Sequence, residues 1–317
     1  MSFEMYHSLP FGITRIDTAM VHEELAACYL LEAEGECAII ETGTHNTVPI
    51  ILALLEEKGI QRDAVKYVIP THVHLDHAGG VGGLMAALPS ATLLVHPRGA
   101  RHMIDPSKLK AGATAVYGEK MFAEIYGDVI PVSADRVRTM EDGDTVMLAD
   151  RELRFIDTPG HARHHFCVYD PLSKGIFTGD TFGLSYPALT TDKGPFIMPT
   201  TTPVQFEPEA LKASIQRLLD LRPERIYLTH YDMVEDPQSL GERLIPMVDD
   251  YVALAKQVAE HGAQEDFQAS LETAMGNYLF GKAREHGVTV DDDTLSAILG
   301  MDIRLNSQGL AVWLQHA

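Results

Sequence analysis

Basic residues are scarce in this chain. Its 317 residues hold 25 Lys and Arg against 45 Asp and Glu, a formal charge of −20, and no segregated basic patch offsets the excess. A surface of that sign repels a phosphate backbone, so a nucleic-acid substrate is excluded from the reading. Cysteine is scarcer still: Cys28, Cys37 and Cys167 stand apart, with no CxxC. That excludes a disulfide framework, predicts a reducing compartment, and leaves three thiols as small core residues. No run approaches the roughly 18 apolar residues of a membrane span. The opening MSFEMYHSLPFG lacks a basic start followed by an apolar stretch, so a cytoplasmic protein with no membrane partner is expected. What is present is an ordinary globular composition, 45% hydrophobic and 22% charged. The length suits one sizeable domain with an appendage, or two modest domains.

The first two-thirds alternates strand and helix signals. GITRIDT, AACYLLEA and ECAIIETG read as short strands, AEGE as a hairpin turn, and Val48 to Lys58 as a helix ending at Gly59. VKYVIPTH and ATLLVHP read as buried strands with a short helix, GGLMAALP, between them. Residues 98–130 interrupt this alternation. There Tyr117, Met121, Phe122, Ile125 and Tyr126 recur at helical spacing, as a core-facing stripe or the wall of a substrate channel. Strands return at TVMLAD, LRFIDTPG, FCVYD and KGIFTGD. The loop at 181–203, rich in Pro, Thr and Gly, is long enough to suggest a functional role. EPEALKASIQRLLDLRP reads as an amphipathic helix and RIYLTH as a last strand. Beyond it three helices are expected, near 239–262, 264–287 and 291–300. The division predicted is therefore a catalytic domain over 1–236 and a mainly helical extension over 237–317.

The chemistry concentrates in THVHLDHAGG, which supplies His72, His74, Asp76 and His77 at a strand end. Imidazole and carboxylate are the usual ligands of zinc and related metals, and four within six residues point to a metal. Alternation along an extended segment would put His72, His74 and Asp76 on one side, yet one stretch cannot surround an ion. Further ligands are offered where later strands end: the TPGHARHH histidines (His161, His164, His165), Asp180 in FTGDTF, and His230 in YLTHYD. Strand ends are where sites assemble in open α/β sheets.

In this order, HxHxDH, TPGH, GDT and a terminal His after a strand resemble the metallo-β-lactamase-fold hydrolases in their dinuclear form, over residues 12–235. The resemblance implies an α/β fold, an αββα sandwich with the metals at one edge, followed here by a C-terminal helical extension. It implies that His72, His74 and His161 hold a first metal, that Asp76, His77 and His230 hold a second, and that Asp180 bridges them. A metal-bridging hydroxide would be the nucleophile, with Asp76 as the catalytic group that orients it or passes its proton to the leaving group. Two divalent ions are expected, zinc first, with iron or manganese also compatible with these ligands. His165 is expected to support the site by hydrogen bonding, and His164 to be structural or solvent-facing.

Within the family, the carboxylate at 180 departs from the authentic β-lactamases, which commonly carry cysteine or serine there. The acidic charge departs from the RNA-processing members. What remains resembles the branch of glyoxalase II and the lactonases, which implies cleavage of a small-molecule ester, thioester or lactone. A persulfide dioxygenase is the alternative, with one iron on His72, His161 and Asp180. Tyr186 and Phe196, in the long loop, are candidates for contacts with substrate. The tail DIRLNSQGLAVWLQHA, with the single Trp313, is expected to pack back on the chain or against a second copy as a homodimer contact.

Overall fold

The computed structural model describes residues 4–201, 203–261 and 267–316. The chain divides into two compact units. The first runs through Asp157 and includes His164–Gly179 and Pro223–Glu235; the second comprises Thr158–Arg163, Asp180–Arg222 and the residues from Asp236 onward.

The first unit is built on two mixed sheets. One has seven strands in sequence order: β1 (Tyr6–Leu9), β2 (Ile13–Asp17), β3 (Ala27–Ala33), β4 (Glu36–Ile40), β5 (Val65–Ile69), β6 (Thr92–Val95) and β7 (Val137–Thr139). Its first four strands are antiparallel. The hairpin between β3 and β4 turns where AEGE predicts it, at Glu34 and Gly35, both with positive φ, the backbone that a two-residue hairpin requires. From β4 to β7 the pairing is parallel, and parallel neighbours need crossovers. These are supplied by α1 (Val48–Glu57), by α2 (Leu75–Ala78) with α3 (Val81–Ala87), and by α4 (Pro97–Ile104), α5 (Ser107–Tyr117) and α6 (Glu119–Tyr126).

The second sheet orders β13 (Asp232–Glu235), β12 (Arg225–Leu228), β11 (Gly175–Gly179), β10 (Phe166–Asp170), β9 (Arg151–Asp157) and β8 (Thr145–Leu148). Only β11 and β12 are parallel in it, with Gly179 in register with Leu228, so these two strands end together. The sheets share a core. Tyr29 from the first lies edge-on to Phe177 and Tyr227 of the second, at 5.3 and 5.6 Å, and Leu31, Ile40, Phe155 and Phe166 fill the same layer. The outer face of the first sheet buries Ile39, Val68 and Leu93 against Ile51, Leu54, Leu84 and Met103 of the helices. This is the α/β sandwich expected, with helices following it.

Three strands escape the sequence reading. β1 and β13 have four residues each and β7 has three, too short for alternation to register. In 98–130 the helical stripe lies in α5 and α6. Phe122 and Tyr126 are buried with Leu75 and Val129, while Met121 is exposed; the side chain of Tyr117 lies outside the described residues.

The second unit contains α7 (Pro208–Asp220), α8 (Pro237–His261), α9 (Phe267–His286) and α10 (Asp292–Leu314). The helix predicted to stop near residue 300 continues to Leu314. Asn306, Ser307 and Gly309 weaken the local helical signal, but all three are buried, and they meet the 181–203 loop. The Asn306 side chain accepts a hydrogen bond from the Thr201 amide at 2.6 Å, and the Thr201 hydroxyl donates to the Asn306 carbonyl at 3.0 Å. Trp313 packs edge-on to Phe206, 6.5 Å between ring centres.

Candidate metal centre

His72 follows β5 after Pro70 and Thr71, in a segment that bends at Thr71, His72 and His74. There α2 begins, with His74 as its N-cap. The alternation expected to carry Asp76 to the same side as His72 and His74 therefore stops before it reaches Asp76. Asp76 and His77 are instead presented by a helical turn, which Leu75 anchors in the small core with Phe122 and Tyr126. His72 and His77 are fully buried, whereas Asp76 is partly exposed.

Hydrogen bonds set the chemistry of each ring in the first unit. Glu41, immediately after β4, is 1% exposed. Its Oε1 accepts from the hydroxyls of Thr71 at 2.5 Å and Thr229 at 3.1 Å and from His77 Nδ1 at 3.0 Å; its Oε2 accepts from the Thr71 amide at 3.1 Å. The Thr71 hydroxyl, spending its proton on Glu41, accepts from His72 Nδ1 at 3.1 Å. His230 Nδ1 donates to the Leu25 carbonyl at 2.8 Å. In all three rings the proton is thereby assigned to Nδ1, and the neutral imidazole keeps its lone pair on Nε2.

Those lone pairs converge. His77 Nε2 lies 3.5 Å and His230 Nε2 3.4 Å from Asp76 Oδ2, and the ligand atoms of this trio all lie within 4.8 Å of one another. His72 Nε2 faces His74 Nδ1 at 2.8 Å. Two imidazole Nε2 atoms around a carboxylate oxygen, with Nδ1–H groups turned outward, form a donor arrangement that suits a divalent cation. The orienting oxygens behind the rings are the support such ligands need. The donor set fits a metal.

His165, expected to support the site, is fully buried, its ring stacked 4.8 Å from that of His72. His164, expected to be structural or solvent-facing, is also buried, because its ring lies 6.1 Å from His72 and 5.6 Å from His74. Gly179 closes β11 with φ +48°, and a Cβ there would come 2.3 Å from Thr71 Oγ1 and 2.7 Å from His165 Nε2. Only glycine fits that close, left-handed position, and Asp180 is the next residue.

In the second unit His161 and Asp180 meet. His161 Nδ1 donates to the Thr200 carbonyl at 3.4 Å and its Nε2 lies 3.3 Å from Asp180 Oδ2, so this ring too keeps its lone pair on Nε2. The turn that presents His161 contains Gly160 at φ +131°, where a Cβ would strike the Leu211 backbone at 2.2 Å. Tyr186 is buried and its hydroxyl donates to the Asp302 carboxylate at 3.0 Å. Phe196 is also buried, 5.7 Å from the His286 ring, and lines a cavity of about 400 Å³ with Ile197, Met247, Lys193 and Arg243.

The sequence reading missed Glu41 and Thr229. Neither carries a local signal: a carboxylate after a strand reads as a turn residue, and its partners lie 30 to 188 positions away.

Residues 23–230 match the family model described as the metallo-beta-lactamase superfamily. The chain is 27% identical over 246 residues to the metallo-beta-lactamase fold-containing protein ST1585 of Sulfurisphaera tokodaii, covering 76% of this chain and 84% of that one. The solved structure of ST1585 aligns over 98% of this chain and 99% of that chain, with a TM-score of 0.64 at 24% identity. A hydroxyacylglutathione hydrolase of Maricaulis maris is 25% identical over 223 residues, 67% of this chain and 73% of the relative. TTHA1623, solved in a di-iron-bound form, aligns with a TM-score of 0.50 at 26% identity, over 69% of this chain and 92% of that one. Among the described residues no helix is long and apolar enough to cross a membrane.

Proposed function

Because the chain belongs to the metallo-beta-lactamase superfamily, we propose that it is a dinuclear metal-dependent hydrolase that cleaves a small-molecule ester, thioester or lactone. On the family pattern, His72, His74 and His161 would hold one cation and Asp76, His77 and His230 the other, with Asp180 as the remaining ligand. The observation that carries this reading is the convergence of His77 Nε2 and His230 Nε2 on Asp76 Oδ2, at 3.5 and 3.4 Å.

Divalent cations held by these residues would supply a water of lowered pKa and polarisation of the acyl oxygen under attack. The chain does the rest. Glu41 and the Leu25 carbonyl keep His77 and His230 in the tautomer that presents Nε2. Asp76, with its side chain 25% exposed, is open to solvent and would pass a proton from the attacking water to the leaving group. The relatedness to a hydroxyacylglutathione hydrolase supports acyl-bond hydrolysis, and nothing in the mechanism calls on a serine or cysteine nucleophile. Zinc suits the imidazole and carboxylate donors, and iron is the second choice, supported by the di-iron neighbour.

The test is elemental analysis of the purified protein, followed by a panel of thioesters, lactones and phosphodiesters assayed on the reloaded protein. About two equivalents of metal with thioester or lactone hydrolysis are expected. One iron per chain with oxygen uptake on a thiol persulfide would overturn the reading in favour of a dioxygenase using His72, His161 and Asp180.

A further inference from the structure

His230 sits in a closed circuit of hydrogen bonds centred on Asp17, a residue with no part in the chemistry above. Asp17 ends β2 and is fully buried. Its Oδ1 accepts from the Ala19 amide at 2.7 Å and its Oδ2 from the Glu24 amide at 2.8 Å, so one carboxylate ties down both ends of the 18–26 loop. That loop passes through left-handed φ at Ala19, Val21 and Glu24, at 51°, 62° and 60°. Non-glycine residues hold such conformations only where the surroundings compel them. Leu25, the residue after the second amide, supplies the carbonyl that takes the His230 Nδ1 proton.

The circuit closes through the neighbour of His230. The Tyr231 hydroxyl donates to Asp17 Oδ2 at 3.0 Å, and Arg15 donates from its guanidinium to the same hydroxyl oxygen. Arg15 in turn lies 3.6 Å from Asp232 Oδ2, and the Ala27 amide donates to the Thr229 carbonyl at 2.8 Å. Tyr231, after His230, is thus bound to Asp17, the carbonyl that orients the His230 ring belongs to the loop Asp17 holds, and Thr229, before it, is tied to Ala27, where that loop enters β3.

We infer that Asp17 is a positioning residue for the metal that His230 binds: the order of the 18–26 loop and the affinity for that metal are one equilibrium. The inference rests on His230 being a metal ligand, as proposed above. Such coupling is reciprocal, so the metal must order the loop as much as the loop tightens the metal.

The experiment is a zinc titration against a competing chelator, with hydrogen exchange of the 19–25 amides before and after zinc, on the full-length wild type, Asp17→Asn, Tyr231→Phe and His230→Ala. Asparagine keeps the shape of Asp17 but turns an NH2 toward one of its donors. We expect it to weaken one zinc equivalent by about 10- to 100-fold, to leave the other within about twofold, and to abolish zinc-induced protection of residues 19–25. Tyr231→Phe should weaken the same equivalent by less, and it carries the test if Asp17→Asn does not fold. Wild-type binding of both equivalents in both variants, or no change in exchange at 19–25 when wild type takes up zinc, overturns the inference. So does equal weakening of both equivalents, which a merely structural role would give. His230→Ala separates the premises. If it keeps the wild-type zinc content, the ligand assignment is wrong and the inference falls with it; if it loses one equivalent while Asp17→Asn and Tyr231→Phe lose none, only the circuit is wrong.

Discussion

Replacing Glu41 by glutamine tests whether a buried carboxylate behind the proposed metal ligands holds both the fold and the site. Four donors point at its two oxygens: the Thr71 and Thr229 hydroxyls and His77 Nδ1 at Oε1, and the Thr71 amide at Oε2. A glutamine side chain can turn its oxygen to the three-donor side, which leaves its NH2 facing the Thr71 N–H. One charge-assisted bond is lost and a buried donor is left without an acceptor, a cost of about 2 kcal/mol. The three remaining bonds now end on a neutral oxygen. His77 loses the anion that raises the basicity of its Nε2, and zinc affinity should fall roughly tenfold. Urea unfolding of the metal-free protein reads the first effect, and zinc competition against a chelator reads the second. A Glu41→Gln variant with wild-type midpoint and wild-type zinc affinity would refute the reasoning, because it would mean that four converging donors contribute nothing. Loss of stability with unchanged affinity would confine Glu41 to the fold.

Two glycines in the helical unit predict opposite outcomes. A Cβ at Gly309 would lie 2.1 Å from the Thr201 carbonyl oxygen, so Gly309→Ala should cost about 2 kcal/mol or more in a urea midpoint. At Gly276, inside α9, the nearest atom would be Ile303 Cδ1 at 3.7 Å, and Gly276→Ala should stabilise by about 1 kcal/mol in the same assay. Equal effects at the two sites would contradict the packing described. Burial pushes the Cys37 thiol up to about 11, helped by Glu32. At pH 8 about one Cys37 in a thousand is then thiolate, against roughly one in four for an ordinary thiol. A raised pKa means the reactive form grows as pH rises, so labelling of native protein by a disulfide reagent should be slow at pH 8 and accelerate about tenfold per pH unit up to about pH 10. Labelling at the rate of a free thiol at pH 8 would contradict it.

Much of the fold is legible in the sequence because its longer elements obey simple periods. Apolar strands such as ACYLLEA and the amphipathic α7 announce themselves, and the HxHxDH run by itself marks one strand end as a candidate metal-binding position. What escapes depends on neighbours far away in sequence. Glu41 looks like the polar end of a strand until Thr71, His77 and Thr229 gather around it. For His164 the sequence leaves structural and solvent-facing roles open, because alternation says nothing about the rings of His72 and His74 that pack beside it. The extension of α10 past residue 300 is hidden by Asn306 and Gly309, which are poor helix formers locally and are buried against Thr201 of the long loop. Asp76 and His77 reach His230 because α2 starts directly after His74, a turn that the ligand spacing alone does not reveal.

The central proposal is that seven side chains, four of them from the segment after β5, would hold two metals. The measurement that tests it most directly is the metal-to-chain ratio after dialysis against zinc, for wild type, His230→Ala and Asp180→Ala, each shown to be folded by circular dichroism. The account predicts about two equivalents for wild type, about one for His230→Ala, and weakened retention of both for Asp180→Ala. A folded wild type that binds no zinc, or a His230→Ala variant that keeps both equivalents, would contradict it.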